Sequence, residues 1–201
     1  MFCSRNTQVK KFLKVAMNDL EKHQINLKIY RRRADPKYSL DGYFDDASLE
    51  IGLVKDRFWL ETFVHEYSHF LQWKRGEKTF AAYYKYDYNP IFMVENWLER
   101  KIAYSKKVKN SFRIIRANEI SCDKIAVELI KKYKLPIDTE KYTKNANLQL
   151  LFYHCVENQR NWNVSKIYKN PNLWAMIPKT MRFSYAQRIP SKLMETALEC
   201  F

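Results

Sequence analysis

Glycine and proline are scarce, 3 and 6 in 201 residues. Tight hairpins lean on glycine at positive φ, so this shortage argues against a turn-rich all-β fold. None of the four cysteines (Cys3, Cys122, Cys155, Cys200) sits in a CxxC pair, which argues against a zinc knuckle and for free thiols in a reducing, cytoplasmic compartment. No apolar run approaches the roughly 18 residues of a membrane span. The N-terminal stretch "MFCSRNTQVKKFLKVAM" is broken by Lys10, Lys11 and Lys14, so it does not read as a signal peptide. Acidic residues are outnumbered 22 to 36, giving a net charge of +14. The basic residues are mostly Lys, spread along a chain that is also rich in Asn, Tyr and Ile, as AT-rich coding produces. A basic surface for nucleic acid or another acidic partner is the alternative, and "YRRRADPK" (30–37) is its densest candidate.

What is abundant is apolar and aromatic: 46% and 15% of the residues, enough for a full core. Residues 7–23 carry a helical stripe of Val9, Phe12, Leu13, Ala16 and Leu20, with Asn6 or Thr7 as cap. "INLKIY" (25–30) alternates as a strand whose Ile25, Leu27 and Ile29 point inward, and "DGYFDDASLEIGLV" (41–54) reads as a hairpin with Leu49, Ile51 and Leu53 inward. Helices follow over 57–73, from Pro90 to about Tyr104, over 111–136, over 138–160 and, after a wrapping tail, over 190–200. With no repeat or low-complexity linker, the expectation is one α+β domain over 1–201. It is mainly helical, with a small antiparallel or mixed sheet before the 57–73 helix, a core of about 25–136, and a C-terminal helix and tail over 138–201.

The chemistry concentrates in "ETFVHEYSHFLQW" (61–73). His65 and His69 are four apart, so a helix projects both imidazoles from one face. That pair can bind one Zn²⁺. Glu66 lies about 100° round the helix, placed to take a proton from activated water without ligating the metal. Leu60, Val64, Tyr67 and Leu71 form the core stripe; Thr62, His65, His69 and Gln72 share a neighbouring face.

A catalytic zinc needs a third protein ligand. Glu119 in "ANEISCDKIA" is the first choice, because small and apolar residues surround it. Asp123, one turn on, would then accept the second N–H of a ligand histidine and hold its tautomer. Glu95 and Glu99 in "VENWLER" are also i,i+4 and remain rivals, as does His154, the only histidine after His69. A thiolate ligand from Cys122, between the two acids, is conceivable beside its reading as a small buried thiol.

His65-Glu66-x-x-His69 with Glu119-x-x-x-Asp123 on a later helix resembles the gluzincin pattern of zinc metallopeptidases. "NEISCDKIAVELIKKYKLP" resembles the third-ligand helix of ImmA/IrrE-type metallopeptidases, and the chain as a whole is most similar to uncharacterised metallopeptidases encoded by bacteriophages. The resemblance is specific over about 58–136. It implies a zincin-like fold, Zn²⁺ held by His65, His69 and Glu119, Glu66 as general base, a protein or peptide substrate, and the host cytoplasm as the place of action. Two departures stand out. The 49 residues between His69 and Glu119 exceed compact gluzincins, and no helix-turn-helix or sensor domain accompanies the motif.

Peptide hydrolysis also needs a second oxyanion donor. His154 is one candidate, against its reading as a structural histidine; Tyr83, Tyr84, Tyr86 and Tyr88 are others. The strand with Leu49 and Ile51 is the expected edge for pairing with an extended substrate. The expected function is zinc-dependent hydrolysis of a peptide or other amide bond. The alternatives are a catalytically silent binding module for nucleic acid or an assembly partner, and a phage structural component whose zinc holds the fold.

Overall fold

The computed structural model describes residues 6–31, 41–162 and 166–200, so the basic cluster beyond Arg31 lies outside the described residues. The architecture is α+β, with eight α-helices and one three-stranded mixed sheet among the described residues. No helix is long and apolar enough to cross a membrane. The chain divides into two compact units: the residues up to Glu77 with Ile125–Thr139, and Lys78–Lys124 with Glu140 onward.

The first unit opens with α1 (Thr7–Lys22), whose start is capped by Asn6: its side chain accepts from the Gln8 and Val9 amides. Val9, Phe12, Ala16 and Leu20 form its buried face. Strands β1 (Asn26–Tyr30), β2 (Gly42–Asp45) and β3 (Glu50–Val54) pair in the order β1-β3-β2. β3 is parallel to β1, with Leu27 opposite Ile51, and antiparallel to β2, with Phe44 opposite Ile51. Two expectations are corrected here. The strand carrying Ile51 is not a sheet edge but the centre, hydrogen-bonded on both sides and buried along its whole length. Ile29 does not point inward but is 41% exposed, because β1 is an edge strand whose outer rim meets water.

Helix α2 (Trp59–Lys74) packs on the hairpin strands β2 and β3. It ends one residue past the predicted 73: Gly76 takes φ 60°, and the Glu77 amide returns to the Gln72 carbonyl. Behind α2 lies an aromatic layer. Phe12 meets Phe63, Tyr67 and Tyr133 with ring centroids 5.8, 5.8 and 5.3 Å away. Tyr67 is core, as its stripe predicts, and its hydroxyl donates to Asp19 Oδ2 of α1 at 2.9 Å.

The second unit is helical. Short α3 (Lys78–Ala81) and a 3-10 turn (Ala82–Tyr84) come first, and α4 (Pro90–Leu98) starts on an Asn89 cap. Helix α5 (Lys106–Tyr133), of which the residues up to Lys124 belong to this unit, begins five residues before the predicted 111. α6 (Thr139–Gln159) follows, then α7 (Pro171–Met176) and α8 (Ser191–Leu198). One apolar cluster joins these pieces, from Val94 and Trp97 through Phe112, Leu150 and Leu151 to Leu173, Ile189 and Leu193. The tail thus closes over this core.

Candidate metal-binding and catalytic site

Helix α2 buries Phe63, Val64, Tyr67, Phe70 and Leu71, which leaves His65 and His69 half-buried on its other face. Their rings stand 4.8 Å apart, centroid to centroid, at 86°. His69 Nδ1 lies 2.9 Å from Gln72 Oε1. An amide oxygen only accepts, so Nδ1 carries the proton and Nε2 presents a lone pair. This is the orienting bond that metal-bound histidines use. The sequence reading placed Gln72 on this face without giving it that task; its i,i+3 spacing from His69 is the signal that reveals it.

Glu66 is 7% exposed, a buried carboxylate beside the histidine pair. The strand β2 makes room for it. A Cβ built on Gly42 would come within 2.5 Å of Thr62 Cγ2 and 3.2 Å of Glu66 Oε1. The added Cβ would clash with the Thr62 methyl and only crowd the Glu66 side chain, so a bare glycine eases the packing of β2 against α2.

A group of potential ligands, His65, His69 and Cys122, has its ligand atoms within 4.8 Å of one another and can hold a metal ion. Two imidazoles and a thiol suit a borderline-soft ion such as zinc. Glu119 is not a member of that close set. It is half-buried on α5, among phenols. Burial first, and then the Glu119 charge, push the Tyr83 and Tyr153 hydroxyls well above the ordinary tyrosine range. Tyr83 also receives a hydrogen bond from Asn118. Of the four tyrosines after α2 that the sequence left level, Tyr83 feels the Glu119 charge. Tyr84 and Tyr86 are exposed, and Tyr88 accepts from Asn110.

Asp123 is buried at 4% exposure, and its Oδ1 accepts from Tyr142 at 2.9 Å. Glu95 and Glu99 stand on and just after α4; Glu99 pairs with Lys101 at 2.7 Å. His154 belongs to a different setting. Its Nε2 donates to the Tyr185 carbonyl at 2.8 Å. Burial and the Arg116 charge lower its pKa to about 4, so the ring is neutral with its Nε2–H committed. Cys155 is a buried thiol, pushed by burial up to about 12. Leu49 precedes β3 at φ 53°, and Ile51 is fully buried in the sheet.

No protein-family model, no curated protein and no solved structure matches the chain.

Proposed function

We propose that this chain is a zinc-dependent metallopeptidase of the zincin type, working on a protein or peptide in a reducing cytoplasm. The observation that carries the reading is on α2. Two half-buried imidazoles meet edge to face with centroids 4.8 Å apart, one has its tautomer set by Gln72, and a buried carboxylate is next in sequence. His65 and His69 would hold the ion, with Glu119 or Cys122 as third protein ligand. Bound zinc supplies Lewis acidity, polarising a carbonyl and lowering the pKa of water.

The remaining steps belong to this chain's residues. Glu66 accepts a proton from the attacking water, whose oxygen adds to the scissile carbonyl carbon. The C–N bond then breaks, and the proton passes from Glu66 to the departing amine. Gln72 keeps His69 in one tautomer throughout. Tyr83, which feels the Glu119 charge, supports a role as phenolic donor to the oxyanion, since its raised pKa keeps the O–H intact at neutral pH. An extended substrate cannot pair with β3, which is already paired on both sides. The outer edges of β1 and β2 are the ones such a substrate would meet.

The test combines metal content with cleavage of a peptide library. Glu66→Gln should retain zinc and lose cleavage by about 10²–10⁴-fold. His65→Ala should lose both. Glu119→Gln and Cys122→Ser decide the third ligand: the one that loses zinc is the ligand. Full cleavage by Glu66→Gln would overturn the enzyme reading. A biological effect that survives in that variant while no cleavage is found would favour the binding-module reading.

A further inference from the structure

The second unit contains a cavity of about 650 Å³ that the peptidase chemistry does not use. One wall is aromatic. Trp97 and Tyr104 meet edge to face with centroids 5.7 Å apart, Trp97 buried and Tyr104 50% exposed. The other groups around it include three cations, Lys109, Arg116 and Arg160, against Glu157 as the one acid in the lining. Glu157 is fully engaged. It accepts from the buried Arg116 at 2.6 Å and from the Tyr104 hydroxyl at 2.5 Å. Arg116 and Glu157 therefore cancel.

Arg160 is different. Its Nε and a terminal nitrogen donate to the Trp97 and Ile102 carbonyls at 2.7 and 3.0 Å, and its guanidinium lies 5.2 Å from the Trp97 ring centroid. Carbonyls and a ring orient the guanidinium but leave its charge uncompensated. Neither Arg160 nor the exposed Lys109 pairs with a carboxylate among the described residues. The cavity thus carries two unpaired positive charges beside an aromatic face. The neutral His154 adds no charge of its own.

We infer that this cavity binds an organic oxyanion bearing a planar ring, the chemistry of a nucleoside monophosphate. Lys109 and Arg160 meet the oxyanion, the exposed Tyr104, backed by the buried Trp97, meets the ring, and the Asn158 and Gln187 amides are at hand for its polar edge. The volume falls within the roughly 300–1,000 Å³ of small-molecule sites. Arg160 is pre-organised by its two carbonyl contacts, so little order remains to be imposed on binding. This site is independent of the metallopeptidase reading, and its residues are separate from the α2 histidines.

The probe is AMP, titrated into metal-stripped full-length protein by calorimetry, with adenosine and inorganic phosphate in parallel. AMP should bind with Kd on the order of 0.1–1 mM, and each half-ligand at least about tenfold more weakly. Affinity should fall with salt, as expected for contacts to exposed charges. Lys109→Gln should weaken AMP and phosphate by about tenfold while adenosine is unaffected. Tyr104→Ala should weaken AMP and adenosine and spare phosphate. Both side chains are exposed, and circular dichroism confirms that the variants fold. His65→Ala/His69→Ala must bind AMP like the wild type. No AMP binding up to about 10 mM, a Kd indifferent to both Lys109→Gln and Tyr104→Ala, or loss of binding in the double histidine variant would each overturn the proposal.

Discussion

His69 and His154 are both half-buried on long helices among apolar neighbours, and in each a ring nitrogen makes a hydrogen bond of ordinary length. They are nevertheless opposite devices. His69 gives its Nδ1 proton to Gln72, which leaves Nε2 as its basic nitrogen. His154 gives its Nε2 proton to the Tyr185 carbonyl, beside the buried Arg116–Glu157 pair, and is held neutral. What a histidine can do is set by which nitrogen is spent and on what, more than by the helix that carries it.

The sharpest way to break this contrast is to remove each ring. His69→Ala should lose stoichiometric zinc altogether, whereas His154→Ala should keep it; elemental analysis after dialysis reads both. Equal zinc in both variants would mean that α2 is only a helix with histidines. A smaller effect is expected at the bond that orients His69. Gln72→Leu keeps the buried volume but removes the acceptor, and should weaken zinc by about 10–100-fold in a competition titration with a chelator. Unchanged affinity would show that Gln72 does not set the tautomer.

Gly42→Ala probes the space left for Glu66. The added Cβ meets Thr62, so thermal unfolding should report a loss of about 1–3 kcal/mol. Cleavage should fall with zinc retained, because the carboxylate rather than the histidines is displaced. The gentlest probe is acid. His154 is lowered from 6.5 to about 4 in the folded chain, so the unfolded chain binds its proton more readily in that interval. The stability that the neutral ring contributes is fully present above pH 6.5 and is lost as pH falls through 4. His154→Gln, which still donates to the Tyr185 carbonyl, should flatten that part of the stability profile against pH. A profile identical to wild type would remove His154 from the acid response.

Legibility in the sequence followed the range of the interaction. The Asn6 cap, the hairpin, the motif helix with its Gly76 stop, and α6 are short-range features, and the chain announces them. The end of α4 is not. The pattern runs on to about Tyr104, yet the helix stops at Leu98, with Arg100 at φ 62°. The Trp97 carbonyl exposed there is taken by the Arg160 guanidinium, 63 residues away in sequence. No local pattern holds that information. Ile29 is similar: alternation marks a strand, but only the sheet order decides that β1 is an edge.

The same division holds for the candidate site. That His65 and His69 share a face, with Glu66 a third of a turn away, follows from helical geometry alone, so the sequence by itself determined it. The rest came from packing: that Cys122 joins the histidines in the close ligand set, that Tyr83 feels the Glu119 charge, and that a bare Gly42 comes up against Thr62 and Glu66. These depend on how distant segments meet. Spacing along one helix carries no information about what another element brings to it.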